Sequence, residues 1–173
     1  MKRIAVIGSP GAGKSTLSRW LGEKLNVPVF HLDRLFWNPG WKKTPPEEFV
    51  RVQKQIMRQH TECIMDGDYA STLKVRLREC DTVIFLDFPR TLCLFRVIMR
   101  TVKSLCGGPR PSMAEGCPAK MDRDYIEFLQ YIWRFSKQQR PKITEILEPF
   151  DGRIYWLKSS REVEQFQKRF VSN

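Results

Sequence analysis

The segment Gly8-Ser9-Pro10-Gly11-Ala12-Gly13-Lys14-Ser15-Thr16 fits the pattern G-x-x-x-x-G-K-[ST]. The chemistry of that pattern is the capture of a nucleotide's phosphates. Glycines admit positive φ and let the backbone come close to a ligand, so successive N–H groups converge on an anion. The first turn of a following helix adds unpaired N–H donors and the positive end of its dipole. Lys14 then brings a mobile positive charge to the β- and γ-phosphates, and the Ser15 hydroxyl is placed to ligate Mg²⁺. Four fixed positions recur by chance in roughly one chain of this length in a few hundred. Residues 8–16 are therefore the expected triphosphate-binding loop.

Three carboxylates follow apolar runs, in His31-Leu32-Asp33, Ile64-Met65-Asp66 and Phe85-Leu86-Asp87. In open parallel sheets ligands lie beyond the carboxyl ends of the strands. Phosphoryl transfer needs one carboxylate near the metal and can use another to accept a hydroxyl proton. Asp66, with Gly67 after it, is expected to hold magnesium together with Ser15. Asp33 is expected to contact the acceptor and act as base. Asp87 is expected to cap the helix that begins near Pro89 and Arg90. Positive charge must also cover the transferred group, which a closing lid supplies. Arg34, Arg76 and Arg78 fall towards the acceptor side, and Arg96, Arg100, Arg110, Lys120 and Arg123 flank or occupy a Gly/Pro-rich stretch. Lys14, Asp33, Arg110 and Arg123 form the candidate catalytic set. Phe36, Trp37, Trp41 and Tyr69 cluster near the acceptor carboxylates, as a slot for a ring or as core.

These residues need a scaffold that lines up strand ends. Short apolar runs at 4–7, 27–32, 63–65, 82–86 and 153–157 read as buried strands. Amphipathic segments at 14–25, 46–59, 71–78, 91–103, 122–135, 139–147 and 160–170 read as helices. The alternation predicts an α/β fold with right-handed crossovers and a parallel sheet covered on both faces. Residues 104–120 hold Gly107, Gly108, Gly116, Pro109, Pro111 and Pro118, which excludes a long helix or central strand. That stretch is expected to be a lid inserted in one domain spanning 1–173.

Length and composition agree. The chain has 173 residues, 42% hydrophobic and 28% charged, which fits one ordinary domain and excludes wholesale disorder or a membrane bundle. No run approaches the ~20 apolar residues of a membrane helix, and 4–7 is too short for a secretory signal; a soluble, cytoplasmic protein without a membrane partner is expected. Thirty Lys and Arg against 19 Asp and Glu give +11, which calls for an anionic partner, phosphate compound or nucleic acid. Five scattered cysteines without a Cys-x-x-Cys pair read as free thiols rather than a zinc site. The guanine-reading Asn-Lys-x-Asp is absent, and the length is short for a motor, so a small kinase is the expected class.

The phosphate loop, the Met65-Asp66-Gly67 strand end and the Gly/Pro-rich segment resemble the adenylate kinase and shikimate kinase class of small P-loop kinases. The string Ile7-Gly-Ser-Pro-Gly-Ala-Gly-Lys-Ser15, His31-Leu-Asp-Arg-Leu-Phe-Trp37, Pro39-Gly-Trp41, Asp66-Gly-Asp-Tyr69, Phe85-Leu-Asp-Phe-Pro-Arg90 and Glu115-Gly-Cys-Pro118 is similar, more closely, to the bacterial topology modulation protein family, which is adenylate kinase-related. That resemblance implies a P-loop NTPase fold with strand order 2-3-1-4-5 and Mg·ATP as phosphoryl donor. Adenylate kinases continue the third-strand Asp-Gly with Phe-Pro-Arg. Here Asp68-Tyr69-Ala70 follows, so the arginine that meets a nucleotide acceptor is not at that position. Asp33 stands where nucleoside and sugar-like kinases carry an acidic residue. The expected reaction is transfer of the γ-phosphate to a small acceptor: a nucleoside-like or other metabolite hydroxyl, or a nucleoside monophosphate. The alternative is a nucleotide-dependent DNA-binding protein that influences DNA topology. A nonspecific nucleic-acid contact is expected from charge alone.

Overall fold

The computed structural model describes residues 1–108 and 112–171. Five parallel strands lie in the order β2 (Val29–His31), β5 (Cys63–Asp66), β1 (Arg3–Gly8), β6 (Thr82–Leu86) and β7 (Arg153–Leu157). Counting only the strands of this sheet, the order is the expected 2-3-1-4-5. The three inner strands are the most apolar runs of the chain and are buried almost throughout, as a parallel sheet covered on both sides requires. Successive side chains alternate between two cores. Ala5, Ile7, Met65, Val83 and Phe85 join one, against α3 (Pro46–Gln59) and α4 (Ala70–Leu77). Ile4, Val6, Ile64, Ile84 and Leu86 join the other, against α1 (Lys14–Leu25), α5 (Arg90–Leu105) and α7 (Ser160–Val171).

Two expected helices, 122–135 and 139–147, are one: α6 (Arg123–Leu147) runs through Pro141. Proline removes an N–H from the ladder and costs about 3 kcal/mol inside a helix. Ile132 and Phe135 before it and Ile143 and Leu147 after it are all buried, and each such side chain contributes roughly 1.5–3 kcal/mol. Packing on both sides of Pro141 therefore outweighs the break. Asp122 caps the start, its side chain accepting from the Tyr125 N–H at 3.1 Å.

A short helix, α2 (Leu32–Phe36), and a hairpin of β3 (Trp37–Asn38) and β4 (Lys42–Lys43) follow β2 where the sequence offered no element. Two-residue strands have no readable period. The Pro39-Gly40 turn is their one local signal, with Gly40 at φ 76° and Trp41 at φ 61°. All five cysteines are free, and burial pushes the Cys80 thiol up to about 12, which leaves it inert at neutral pH. No described helix is long and apolar enough to cross a membrane.

The opposite end of the sheet, away from the strand ends that carry the motifs, is tied by Asp81. Its carboxylate accepts from the Lys2 N–H at 2.6 Å and from the Thr82 hydroxyl at 2.6 Å, and its backbone pairs with Arg3 and Arg153. Partial burial alone would raise its pKa; hydrogen bonds from Thr82, Lys2 and Arg3 outweigh that and hold it below the ordinary 3.8. A lowered carboxyl pKa stabilises the fold above the unfolded value, and that contribution disappears as pH falls through the folded one. Asp81→Asn should therefore be less stable than wild type in urea unfolding at pH 7, with the gap closing below about pH 4. An equal gap at pH 3 and pH 7 would assign the effect to shape rather than charge.

Candidate active site

The C-terminal edge of the sheet collects the residues singled out by the sequence. β1 delivers the phosphate loop, β2 delivers His31 and Asp33, and β5 delivers Asp66 to Tyr69. Two glycines let the loop pass where no side chain fits. A Cβ on Gly8 would collide with the Leu86 carbonyl, and one on Gly11 with the Cys93 carbonyl of α5; both have positive φ. Gly13 begins α1 in the left-handed conformation, so the first turn of the helix points back at the loop. Lys14 Nζ curls over it and donates to the Gly8 and Ser9 carbonyls at 2.9 and 3.0 Å. Ser15 is half-buried, while Thr16 is exposed and its N–H bonds the Gly13 carbonyl. The Thr16 amide is thus occupied within the helix start.

The loop after β5 is fixed from within. Arg76 of α4 is 0% exposed and donates to the carbonyls of Gly67, Asp68 and Tyr69 at 2.7, 2.6 and 3.1 Å. Burial lowers its pKa to about 10, so it remains charged at neutral pH. With its backbone held, the loop distributes three side chains. Asp66 lies at 4% exposure with Oδ2 2.6 Å from His31 Nδ1, so the imidazole proton sits on Nδ1. The Tyr69 hydroxyl donates to Asp33 Oδ1 at 2.7 Å. The Tyr131 hydroxyl, from α6, donates to Asp68 Oδ2 at 2.9 Å. Burial, then the adjoining carboxylates, raise both tyrosine pKa values, so both stay donors.

Asp68 was not among the expected site residues. Burial pushes its carboxyl above the ordinary value; Lys14, Tyr131 and Arg76 pull it back and Asp33 pushes it up. It therefore stands in the field of both the phosphate-loop lysine and the acceptor-side carboxylate. Oδ1 of Asp66 and Oδ1 of Asp68 are buried with no hydrogen-bond partner in the protein. Such atoms have capacity to accept a bond from a ligand, water or ion.

The remaining residues divide. Arg96 of α5 donates to the Ser160 hydroxyl at 3.0 Å and lies 5.3 Å from the Phe88 ring centroid. Its guanidinium is also the nearest atom to the space beside Gly13, so it bridges the phosphate loop and the loop after β7. Desolvation lowers the Arg100 pKa, with Asp33 and Tyr125 opposing that shift; Arg100 thus shares the field of Asp33. Arg123 is not brought to the loop: its side chain is 91% exposed and pairs with Glu127 at 3.4 Å. Arg110 lies outside the described residues. Asp87 does not cap α5. It accepts from Trp156 Nε1 at 2.9 Å and pairs with Arg140 at 2.9 Å, because those partners from β7 and α6 reach it across the sheet.

Phe36, Trp37, Trp41, Tyr69 and Phe49 form one chain of ring contacts with centroids 4.8–5.3 Å apart. The described part of the Gly/Pro-rich segment is seated on the hairpin beside them. The Gly40 N–H donates to the Gly116 carbonyl at 2.9 Å, Trp41 Nε1 to the Pro118 carbonyl at 3.1 Å, and Cys117 Sγ to the Asn38 carbonyl at 3.2 Å. The motif pair Pro39-Gly-Trp41 and Glu115-Gly-Cys-Pro118 is thus a single contact.

Over 123 residues the chain is 30% identical to a shikimate kinase of Rhodococcus jostii (strain RHA1), covering 63% of this chain and 73% of that protein. The chain belongs to the family of small P-loop kinases that includes shikimate and adenylate kinases. It is also 26% identical over 106 residues to an adenylate kinase of Clostridium botulinum (strain Loch Maree / Type A3), 60% of this chain and 47% of that enzyme. The chain thus spans about half the length of the adenylate kinases it matches. Among solved structures, a shikimate kinase from Acinetobacter baumannii in complex with shikimate superposes with a TM-score of 0.62, over 98% of this chain and 91% of that one, at 17% identity. A shikimate kinase from Bacteroides thetaiotaomicron gives 0.60 over 99% and 97%, at 18% identity. These two show the P-loop kinase fold. No family model matches the chain.

If Arg76 is what holds residues 67–69, Arg76→Met strands three carbonyls, each worth about 1–3 kcal/mol when buried and unpaired. The variant should lose about 3 kcal/mol or more in urea unfolding. Wild-type stability would show that the loop is held by other contacts.

Proposed function

We propose that the chain is an ATP-dependent phosphotransferase that moves the γ-phosphoryl group of Mg·ATP to a hydroxyl of a small, unphosphorylated acceptor. The observation that carries this reading is the internal engagement of Arg76. The arginine nearest the acceptor-side loop already holds three backbone carbonyls, while Asp33 puts a carboxylate there. A phosphorylated acceptor would be repelled by that carboxylate, whereas a neutral hydroxyl gains from it. The ring cluster from Phe36 to Trp41 supplies an apolar wall for the acceptor's frame.

The roles follow from position. The amides of residues 8–15 and the α1 dipole bind the phosphates, and Lys14 exchanges the Gly8 and Ser9 carbonyls for phosphate oxygens. Arg96, joined to Ser160, borders the donor's base, by analogy with the kinase class. Magnesium fits the residues present: the Ser15 hydroxyl and the unpartnered Oδ1 of Asp66 would hold it, and His31 fixes that carboxylate. A magnesium site of this type uses one or two protein oxygens, with phosphates and water completing it. When bound, the metal neutralises charge on the phosphoryl oxygens. Asp33, oriented by Tyr69, accepts the acceptor's hydroxyl proton as its oxygen bonds to phosphorus and ADP leaves. Arg100 balances the charge beside it, and Arg110 remains the candidate lid arginine. The basic excess does not favour duplex binding as the function. Arg76 turns inward, Arg96 reaches the Ser160 hydroxyl, and Arg3, Arg123 and Arg140 are ion-paired.

Two measurements test this reading. Mg·ATP at a hundred times Kd should stabilise the wild type by ~2.7 kcal/mol, and Lys14→Ala should lose most of that gain; equal gains would remove the phosphate assignment. ADP release should be screened against nucleosides, nucleoside monophosphates, shikimate and simple polyols. With any acceptor found, Asp33→Asn should lower kcat ~10²–10⁴-fold while ATP binding is unchanged. A wild-type rate would remove the base and return monophosphates to consideration.

A further inference from the structure

Asp68 carries a polar atom that holding the phosphates and the metal leaves unused. The residue is 9% exposed, in the loop after β5. Its Oδ2 accepts from the Tyr131 hydroxyl at 2.9 Å, while its Oδ1 is buried without a partner. The charged groups that face this carboxyl are Lys14 of the phosphate loop, Arg76 of α4 and Asp33 of α2. It therefore stands between the lysine that meets the donor and the base that meets the acceptor. Its direction is fixed, because Arg76 binds the Asp68 carbonyl at 2.6 Å and Tyr131 binds Oδ2.

The protein's own donors around Asp68 are engaged elsewhere. Arg76 gives its two terminal nitrogens to the Gly67, Asp68 and Tyr69 carbonyls. Arg76 Nε does not reach Oδ1 either, being unpartnered itself. Lys14 Nζ donates to the Gly8 and Ser9 carbonyls. The Tyr69 hydroxyl serves Asp33, and the Tyr131 hydroxyl serves Oδ2. Buried acceptors are paired almost throughout native proteins, so the missing donor comes from outside the chain. Asp33 and Asp68 are also arranged alike. Each accepts from one buried phenol, and the two phenols act on each other, so the pairs stand side by side. We infer that Asp68 Oδ1 binds a second hydrogen-bond donor of the acceptor, a hydroxyl or amino group beside the hydroxyl that Asp33 deprotonates. This rests on the phosphotransfer reading and narrows its acceptor to an unphosphorylated molecule with two neighbouring donors, such as a diol or an amino alcohol. Asp68 is then the residue that sets specificity.

Matched acceptors test this, read as ADP release from Mg·ATP by the full chain. The probes are ribonucleosides with their 2′- and 3′-deoxy counterparts, and cis-cyclohexane-1,2-diol with its monomethyl ether and with cyclohexanol. A buried group left unpaired rejects the analogue that lacks its partner, so the wild type should favour a two-donor compound at least about 100-fold in kcat/KM. Asp68→Asn places an N–H where Oδ1 was, and that preference should shrink at least about tenfold and turn towards the ether. Tyr131→Phe removes the bond to Oδ2 alone; it should lower both rates of a pair and keep their ratio, which separates recognition from shape. Stabilisation of each variant by Mg·ATP, as in the wild type, shows that it is folded. Equal use of the two members of every pair overturns the inference, as does no turnover of any two-donor compound, or an unchanged ratio in Asp68→Asn. A crystal structure with the diol bound and a water still bridging Asp68 Oδ1 and Arg76 Nε overturns it too. A nucleoside monophosphate used ahead of every neutral compound would overturn this inference and the proposed function together, whereas equal pairs would leave the latter standing.

Discussion

One buried cation organises the edge of the sheet. Arg76 carries its charge into a fully enclosed position and binds three consecutive carbonyls, those of Gly67, Asp68 and Tyr69. Desolvating a guanidinium is expensive, and the cost is met only by several charge-assisted hydrogen bonds in good geometry. The carboxyl groups of Asp66 and Asp68 oppose that cost. The consequence is that the backbone after β5 has one conformation. Every carboxylate contact at the site then inherits that rigidity: His31 with Asp66, Tyr69 with Asp33, Tyr131 with Asp68.

Those three pairs also distribute the acidic groups. Asp66 meets an imidazole, and Asp33 and Asp68 each meet a phenol that burial keeps protonated. A phenol satisfies one carboxylate oxygen without cancelling its charge. The Asp33 carboxylate therefore keeps its influence on Arg100, and the orphaned oxygens of Asp66 and Asp68 retain capacity for what the site receives. Preorganised donors and acceptors of this sort act without reorganising during the reaction.

The fold was legible because its signals are local. β1, β5 and β6 are continuous apolar runs bounded by turn residues, and α1 and α3 carry their own start signals in Gly13 and Pro46. The phosphate loop was legible for the same reason: its donors are consecutive in sequence. Asp68 and the role of Arg76 were not. Asp68 meets Tyr131 63 residues away and Tyr69 meets Asp33 36 residues away, so only the sheet order brings them together. Arg123 misled because a basic residue after a Gly/Pro-rich stretch looks alike in sequence whether it points inward or pairs with Glu127. The gap expected between 135 and 139 misled because the helix continues there, held by buried Phe135 before it and buried Ile143 after it.

α5 is where packing, site and surface meet. Its inner face, Cys93, Val97 and Thr101, is core; Arg96 reaches Ser160 and the space beside Gly13; Phe95, Ile98, Met99, Val102 and Leu105 are exposed. The helix cannot shift without consequence, because Gly11 of the phosphate loop lies directly on the Cys93 carbonyl with no room for a Cβ. Close-packed interiors transmit such displacements rather than absorbing them. A displacement of α5 is thus passed directly to the glycine that shapes the phosphate loop.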